Sequence, residues 1–410
     1  MKNINIKYSI LIPARNGGKC LPTCVETIIS QDFHDYELII SDDHSVDNTP
    51  EYLSAIDHPN VKIVYPQESM SMAEHWEWVL SQANGEWVMF VGQDDGLQPY
   101  FFELAERLTA YAKQKKIRTI MSERAYFFWP GCEAIFGDFS VSYSGISRLS
   151  ILNCKVQAFL ALLGFQTYFE LPEMYSSSLF HRSIIEEVRQ KQKGNLFVTH
   201  PQDANLAAIA CSLDSRYLKS GIPLGWIGTS PKSAGIAVGL PNDSTMQLKE
   251  EYLKKITISR LPYYPLAGDF ALSSQAVYFW AALLQTPHLR ERWINHLLMS
   301  KIFKTLMFAG VFVNLFLPET RHKNERMRMF EEIVHLSHCN LILIAIISRM
   351  FRVLYEFYQL GKRVNKKIKR LYRPSCFYQT HWSRNPDTSM IQASRYIKQM
   401  IAEERMIKKI

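Results

Sequence analysis

The sequence predicts an α/β protein: a mostly parallel sheet flanked by helices, followed by a mainly helical C-terminal region. Three observations carry this. Apolar runs of strand length recur at Tyr8–Pro13, Tyr36–Ile40, Val61–Tyr65 and Trp87–Val91. Segments with helical spacing lie between them, joined by short loops, as parallel βαβ units require. Polar turn-forming clusters follow the first, second and fourth runs, where an open α/β sheet binds its ligands.

The first strand ends at Pro13, and Ala14-Arg15-Asn16-Gly17-Gly18 forms the loop into a helix over Leu21–Ser30. The second strand closes on Ser41-Asp42-Asp43-His44-Ser45-Val46-Asp47-Asn48-Thr49-Pro50, rich in helix caps, with Pro50 placed to open a helix. The third strand leads into a helix over Met72–Ala83. The fourth strand runs into Gly92-Gln93-Asp94-Asp95-Gly96. Adjacent carboxylates at the end of a buried strand repel each other. They suit a hard divalent cation, which takes oxygen ligands and keeps substrate phosphate in its shell. A solvated Asp-Gly turn is the plainer reading of the pair alone. The neighbouring polar loops favour the ligand site.

There is no GxGxxG after the first strand and no GxxxxGK[ST], which disfavours a dinucleotide dehydrogenase and a P-loop NTPase. The 410 residues, 47% hydrophobic and 21% charged, suffice for two domains with a large core. The expected division is 1–240 and 241–410. Seven cysteines in no CxxC or zinc spacing indicate reduced thiols and a cytoplasmic setting. The N-terminus enters a strand at once, leaving no room for a signal peptide. The apolar stretches Ile302–Leu317 and Leu341–Ile347 fall short of a spanning helix.

Further strands are expected at Arg118–Phe128 and Ser176–Phe180, and a helix at Ser183–Arg189. Pro201-Gln202-Asp203 opens an apolar helix, and on the residues alone an acid there is ordinary helix-start chemistry. Leu224–Gly235 reads as a strand entering a Gly/Ser loop. Lys232 in that loop either contacts a diphosphate on closure or is a plain surface lysine, and Trp226 reads as core. Beyond Pro241 helices dominate, at Leu248–Ile258, Leu272–Leu284 and Glu325–Leu336. From Met350 an apolar stripe runs through Val353, Leu354, Phe357, Leu360, Val364, Ile368 and Leu371. The basic residues of Arg349–Arg373 surround it and account for the net charge of +8. Two readings stay open: the stripe lies in an anionic membrane surface, or it packs on the domain. No nucleic-acid recognition motif accompanies the charge.

Four motifs, Ser9–Asn16, Ile39–Thr49, Gly85-Glu86-Trp87 and Gln93-Asp94-Asp95, together resemble the family 2 inverting glycosyltransferases of GT-A fold, in order and in spacing. The resemblance covers about the first 100 residues. It implies a nucleotide-sugar donor, with Pro13, Arg15 and Asn16 lining the nucleotide pocket and Asp42 or Asp43 bonding the base. It makes Asp94 and Asp95 the DXD-type motif, Asp95 being the expected ligand of Mn²⁺ or Mg²⁺, and Asp203 the catalytic base. It implies a saccharide or lipid-linked acceptor and a role in capsule or lipopolysaccharide assembly, in the cytoplasm or peripherally on the membrane's inner face. The chain departs from the family at Gln93, often Asp; at His44, usually glycine; at His75, commonly asparagine; and at Gln202, usually Glu. Gln93 and Gln202 keep open a catalytically silent sugar-nucleotide-binding or scaffold subunit. A nucleotidyltransferase would want a Gly-rich basic loop after the first strand, of which Ala14–Gly18 is a poor version.

Overall fold

The computed structural model describes residues 6–198, 201–233, 274–315 and 323–410. Its strands are β1 (Tyr8–Ala14), β2 (Tyr36–Asp42), β3 (Val61–Val64), β4 (Trp87–Phe90), β5 (Gly96–Leu97), β6 (Thr119–Ser122), β7 (Ala125–Phe128), β8 (Phe139–Ile146), β9 (Leu149–Asn153), β10 (Ser178–His181), β11 (Arg216–Ser220), β12 (Gly225–Thr229) and β13 (Ser375–His381). The main sheet has the order β3-β2-β1-β4-β10-β6-β11-β9. Its first four strands are parallel, each linked through a helix. The interior strands β1, β2 and β4 are buried along nearly their whole length, which is why they read as continuous apolar runs.

β10 is antiparallel to both of its neighbours, β4 and β6. A reversed strand presents its N-terminal end where β4 presents its C-terminal end. The segment before Ser178 therefore arrives at the edge that carries Asp94.

The expected strand over Arg118–Phe128 is two strands in two sheets. β6 belongs to the main sheet, and after a break at Glu123-Arg124 β7 joins a second sheet of order β13-β8-β7-β12-β5. The break is fixed by backbone bonds, Ser122 N–H to Ser177 O at 2.7 Å and Glu123 N–H to Ser220 O at 2.9 Å. Helices form at Gln275–Gln285 and Lys323–Leu336, near two expected positions. The expected helix at Leu248–Ile258 lies outside the described residues.

The boundary at 240/241 also lies outside them, and the chain beyond it is not helical throughout. β13 pairs with β8 in the second sheet. The helix Met390–Glu403 then buries Met390, Ala393, Ile397 and Ile401 in the same core as Ile10, Phe101 and Trp226. Trp226 is fully buried and donates its indole N–H to Ser394 Oγ at 2.9 Å. The final segment is thus part of the first core, while helices from 275 to about 351 pack a second one around Trp280, Phe308 and Phe330.

Because Ile397 is fully buried in the first core, Ile397→Ala is expected to destabilise that core by about 2–5 kcal/mol. Urea unfolding followed by Trp fluorescence checks this. A shift confined to a minor, separate transition would contradict the shared core.

Candidate active site

Loops at one edge of the main sheet build the site. After β1 the chain turns through Asn16, in the left-handed region at φ 52°. Its amide donates to Ser45 Oγ at 2.7 Å, and its side-chain oxygen accepts from Val46 N–H at 2.9 Å, stitching the β1 and β2 loops together. Half-buried Pro13 leads into exposed Arg15. Arg15 donates to Asp43 Oδ2 at 3.4 Å. Asp43 Oδ1 accepts Met70 N–H at 3.0 Å, and Asp42 Oδ1 accepts Ser45 Oγ at 2.5 Å. His75 is buried beneath this loop, paired with Ser41 Oγ at 2.6 Å. Burial pushes its pKa down to about 4, so it is neutral at physiological pH.

Gln93 grips the backbone of Arg15 at both ends. Its Oε1 accepts Arg15 N–H at 2.9 Å and its Nε2 donates to Arg15 O at 3.1 Å. An aspartate at this position could not supply the donor. The departure at Gln93 thus builds the loop that positions Arg15.

The two carboxylates have different surroundings. Asp95 is 1% exposed. Its Oδ1 accepts Gly228 N–H at 2.6 Å, and its Oδ2 accepts Ser176 Oγ at 2.5 Å and Gly92 N–H at 3.1 Å. The Tyr175 hydroxyl bonds it as well. Gly92 is required for this packing, since a Cβ there would lie 2.2 Å from that hydroxyl. Asp94 is half-buried, and its Oδ2 accepts Ser230 and Ser233 Oγ at 2.8 and 2.5 Å. No hydrogen bond from another residue is made to its Oδ1 among the described residues. Burial raises both carboxyls, that of Asp95 to about 7 with the Asp94 charge adding to it. Lys232 is exposed on the loop that holds Asp94. It is near enough to Asp47 to help the Thr49 and Gly18 hydrogen bonds hold that carboxyl low against its desolvation.

Asp203 opens the helix Gln202–Leu213 at the same edge. Its Oδ1 accepts Ala204 N–H at 2.8 Å and Tyr168 O–H at 3.1 Å. No side-chain donor reaches its Oδ2 among the described residues. Burial raises its pKa, and the nearby Arg124 guanidinium partly offsets this. The buried Tyr175 hydroxyl bonds Asp95, and the charges of Asp95, Asp94 and Asp203 all help burial to raise its pKa, so the three acids lie in its neighbourhood.

Sequence reasoning missed Arg124, Tyr168, Glu173, Tyr175 and Ser176. Arg124 pairs with the fully buried Glu173 and lies over the Phe169 ring at 4.5 Å. Tyr175 stacks on Trp76 at 5.6 Å. The only local signal was the polar cluster Glu173–Ser178 between apolar runs. Its destination depends on β10 running antiparallel. Among the described residues no group of three or more His, Cys, Asp or Glu side chains converges as a metal site. A Mg²⁺ or Mn²⁺ ion fits here only as one held by few protein oxygens, with the rest of its shell supplied by water or a phosphate ligand. Asp94 Oδ1 is open to that role. Asp95, the expected ligand, has both oxygens engaged by protein donors.

The contrast predicts unequal stability effects. Asp95→Ala leaves the Gly228 and Gly92 amides and the Ser176 hydroxyl unpaired, and is expected to cost about 3–5 kcal/mol. Asp94→Ala is expected to change stability by about 1 kcal/mol or less, because Ser230 and Ser233 can bond each other. Chemical denaturation of both variants checks this.

Residues 9–125 match the family described as Glycosyl transferase family 2. The chain is 32% identical over 105 residues to the uncharacterized glycosyltransferase YibD of Escherichia coli K12, covering 25% of this chain and 30% of YibD. It is 33% identical over 89 residues to glycosyltransferase GlyG of Streptococcus pneumoniae, covering 21% of this chain and 30% of GlyG. The matched stretches thus span about a third of the length of these relatives. The structure of S. aureus TarS 1-349 in complex with UDP-GlcNAc aligns over 81% of this chain and 90% of that one, at 13% identity and a TM-score of 0.44. The likeness to glycosyl transferase family 2 is thus carried by residues 9–125.

Proposed function

We propose that the chain transfers a sugar, with inversion, from a nucleotide-sugar donor to a saccharide or lipid-linked acceptor. The observation that carries this reading is that two half-buried carboxylates, Asp94 and Asp203, lie in the neighbourhood of the one buried hydroxyl of Tyr175, and the side-chain bonds to each fall on a single oxygen. The nucleotide lies over Pro13, Arg15 and Asn16, with Asp42 and Asp43 behind them and Lys232 on the loop above the diphosphate. Asp94, not Asp95, is the carboxylate facing the donor's phosphates and any Mn²⁺ or Mg²⁺ bound with them. Such a cation, when bound, supplies positive charge to the leaving diphosphate.

Asp203 is the base. Its Oδ2 takes the proton of the acceptor hydroxyl as that oxygen attacks the anomeric carbon. The bond from that carbon to the diphosphate oxygen breaks, and its electron pair leaves with the nucleoside diphosphate. A single displacement inverts the anomeric centre. Tyr168 and the Ala204 amide hold Oδ1 and leave Oδ2 to the acceptor. The pKa elevation from burial strengthens the base while Arg124 keeps it ionisable. The relative named GalNAc(5)-diNAcBac-PP-undecaprenol beta-1,3-glucosyltransferase of Campylobacter jejuni, by its name acting on a saccharide linked to PP-undecaprenol, is 32% identical over 94 residues. A place in surface polysaccharide assembly at the cytoplasmic face is proposed on that likeness.

Turnover of a panel of UDP-, GDP-, dTDP- and CMP-sugars tests the reading. Asp203→Asn is expected to lower kcat by about 10²–10⁴ while donor affinity holds. A base must be deprotonated to act, so the wild-type rate falls as pH drops through its pKa. That acid limb is expected above the ordinary aspartate value of about 3.9 and to vanish in the variant. Turnover unchanged in Asp203→Asn overturns the assignment. No turnover of any donor by folded wild-type protein supports a catalytically silent subunit instead.

A further inference from the structure

Among the described residues, the helix Leu341–Tyr372 presents an unusual surface. Its inner side is well used: Ile344, Ser348 and Phe351 are buried, and Phe165 packs against Phe351, Tyr355 and Tyr358. The stripe read in the sequence lies on the other side. Met350, Val353, Leu354, Phe357, Leu360, Val364, Ile368 and Leu371 are all exposed, Phe357 by 68% and Leu371 by 76%. Among the described residues, then, nothing covers the stripe. An apolar strip of this length is uncommon on the water-facing surface of a monomer.

The flanking charge selects the partner. The helix carries Arg349, Arg352, Lys362, Arg363, Lys366, Lys367, Lys369 and Arg370 against Glu356 alone. Arg352 pairs with Glu356 and Lys362 with Glu170. Arg349, Arg363 and Lys367, on the flank of the stripe, make no ion pair among the described residues. Large apolar side chains bordered by unpaired cations match an anionic lipid surface, where the stripe enters the acyl boundary and the cations meet headgroups. The spacing would also suit a second copy of the helix. Two copies would bring their cation-rich ends into one assembly without compensating acids, which disfavours that occupant.

We propose that the outer face of Leu341–Tyr372 docks the protein on an anionic lipid surface. The docking helix is tied to the segment that carries the acceptor side of the site. Lys362 Nζ binds Glu170 Oε1 at 2.9 Å, and Gln359 Nε2 donates to Phe165 O at 3.1 Å. Tyr168, which holds Asp203, lies between those two anchors. Docking thus sets the Asp203 side of the crevice in a fixed relation to the bilayer, as an acceptor held in the membrane requires. This last point rests on the reading of Asp203 as the base. The docking itself does not.

Flotation of the full chain with vesicles tests it, using phosphatidylcholine alone or mixed with phosphatidylglycerol. Binding is expected only to the mixed vesicles, and to weaken as salt rises. Arg363→Ala/Lys367→Ala is expected to weaken it roughly 30-fold at low salt, and Phe357→Ala/Leu360→Ala at least about tenfold. Both pairs are exposed, so the variants should keep the wild-type melting temperature and donor binding. No binding by the wild type, or binding that ignores both variants, overturns the proposal. So does a wild-type dimer, seen by light scattering, that Phe357→Ala/Leu360→Ala converts to monomer while vesicle binding is unchanged. Donor turnover without vesicle binding would leave the transfer reading intact and remove only the docking.

Discussion

The structure depends on the buried carboxylate of Asp95. It sits where β4 ends and joins three parts of the chain that are far apart in sequence: the turn at Gly92, Ser176 ahead of β10, and Gly228 in β12. A buried anion is costly unless its lone pairs are filled. Here amides and hydroxyls fill them, so the cost of burial becomes a demand that the two sheets meet in one arrangement. Asp94, the next residue, is left with only one oxygen committed, to the Ser230–Ser233 loop. One acid fixes the frame, and that frame holds the other at the crevice.

Much of the first half was legible in sequence. Parallel interior strands announce themselves by continuous apolar runs, and the ends of β1, β2 and β4 carried the polar clusters that mark a ligand edge. The identity of the acidic residues was legible too. Their division of labour was not, because it is decided by Gly228, 133 residues away from Asp95. Glu173 and Tyr175 were missed for a related reason. Only the antiparallel insertion of β10 brings them to the edge, and a short strand with mixed character does not declare its direction. The family's customary residue at position 93 was equally uninformative about the local solution. Gln93 gives up a charge and gains a donor, and with it a two-point grip on the Arg15 backbone.

The C-terminal region shows the limit of periodicity. Helical spacing located the amphipathic helix Leu341–Tyr372, but spacing cannot say which face a neighbour covers. The aromatic contacts of Phe165 cover the inner face and leave the apolar stripe outside. β13, just beyond, was not seen in the sequence. Its pairing with β8 joins residues more than 200 apart, and its alternating burial gives a weak pattern beside a strongly basic helix. The described helices also include no single one long and apolar enough to cross a membrane.

The most direct measurement is the thermal shift of wild type and Asp94→Asn with nucleotide sugars, with and without Mn²⁺. A ligand that binds only the folded state raises the melting temperature with its occupancy. The split between the two acids predicts that one nucleotide class stabilises the wild type. It predicts that Asp94→Asn, with an unchanged melting temperature on its own, loses that response. A variant that responds as the wild type does would contradict it.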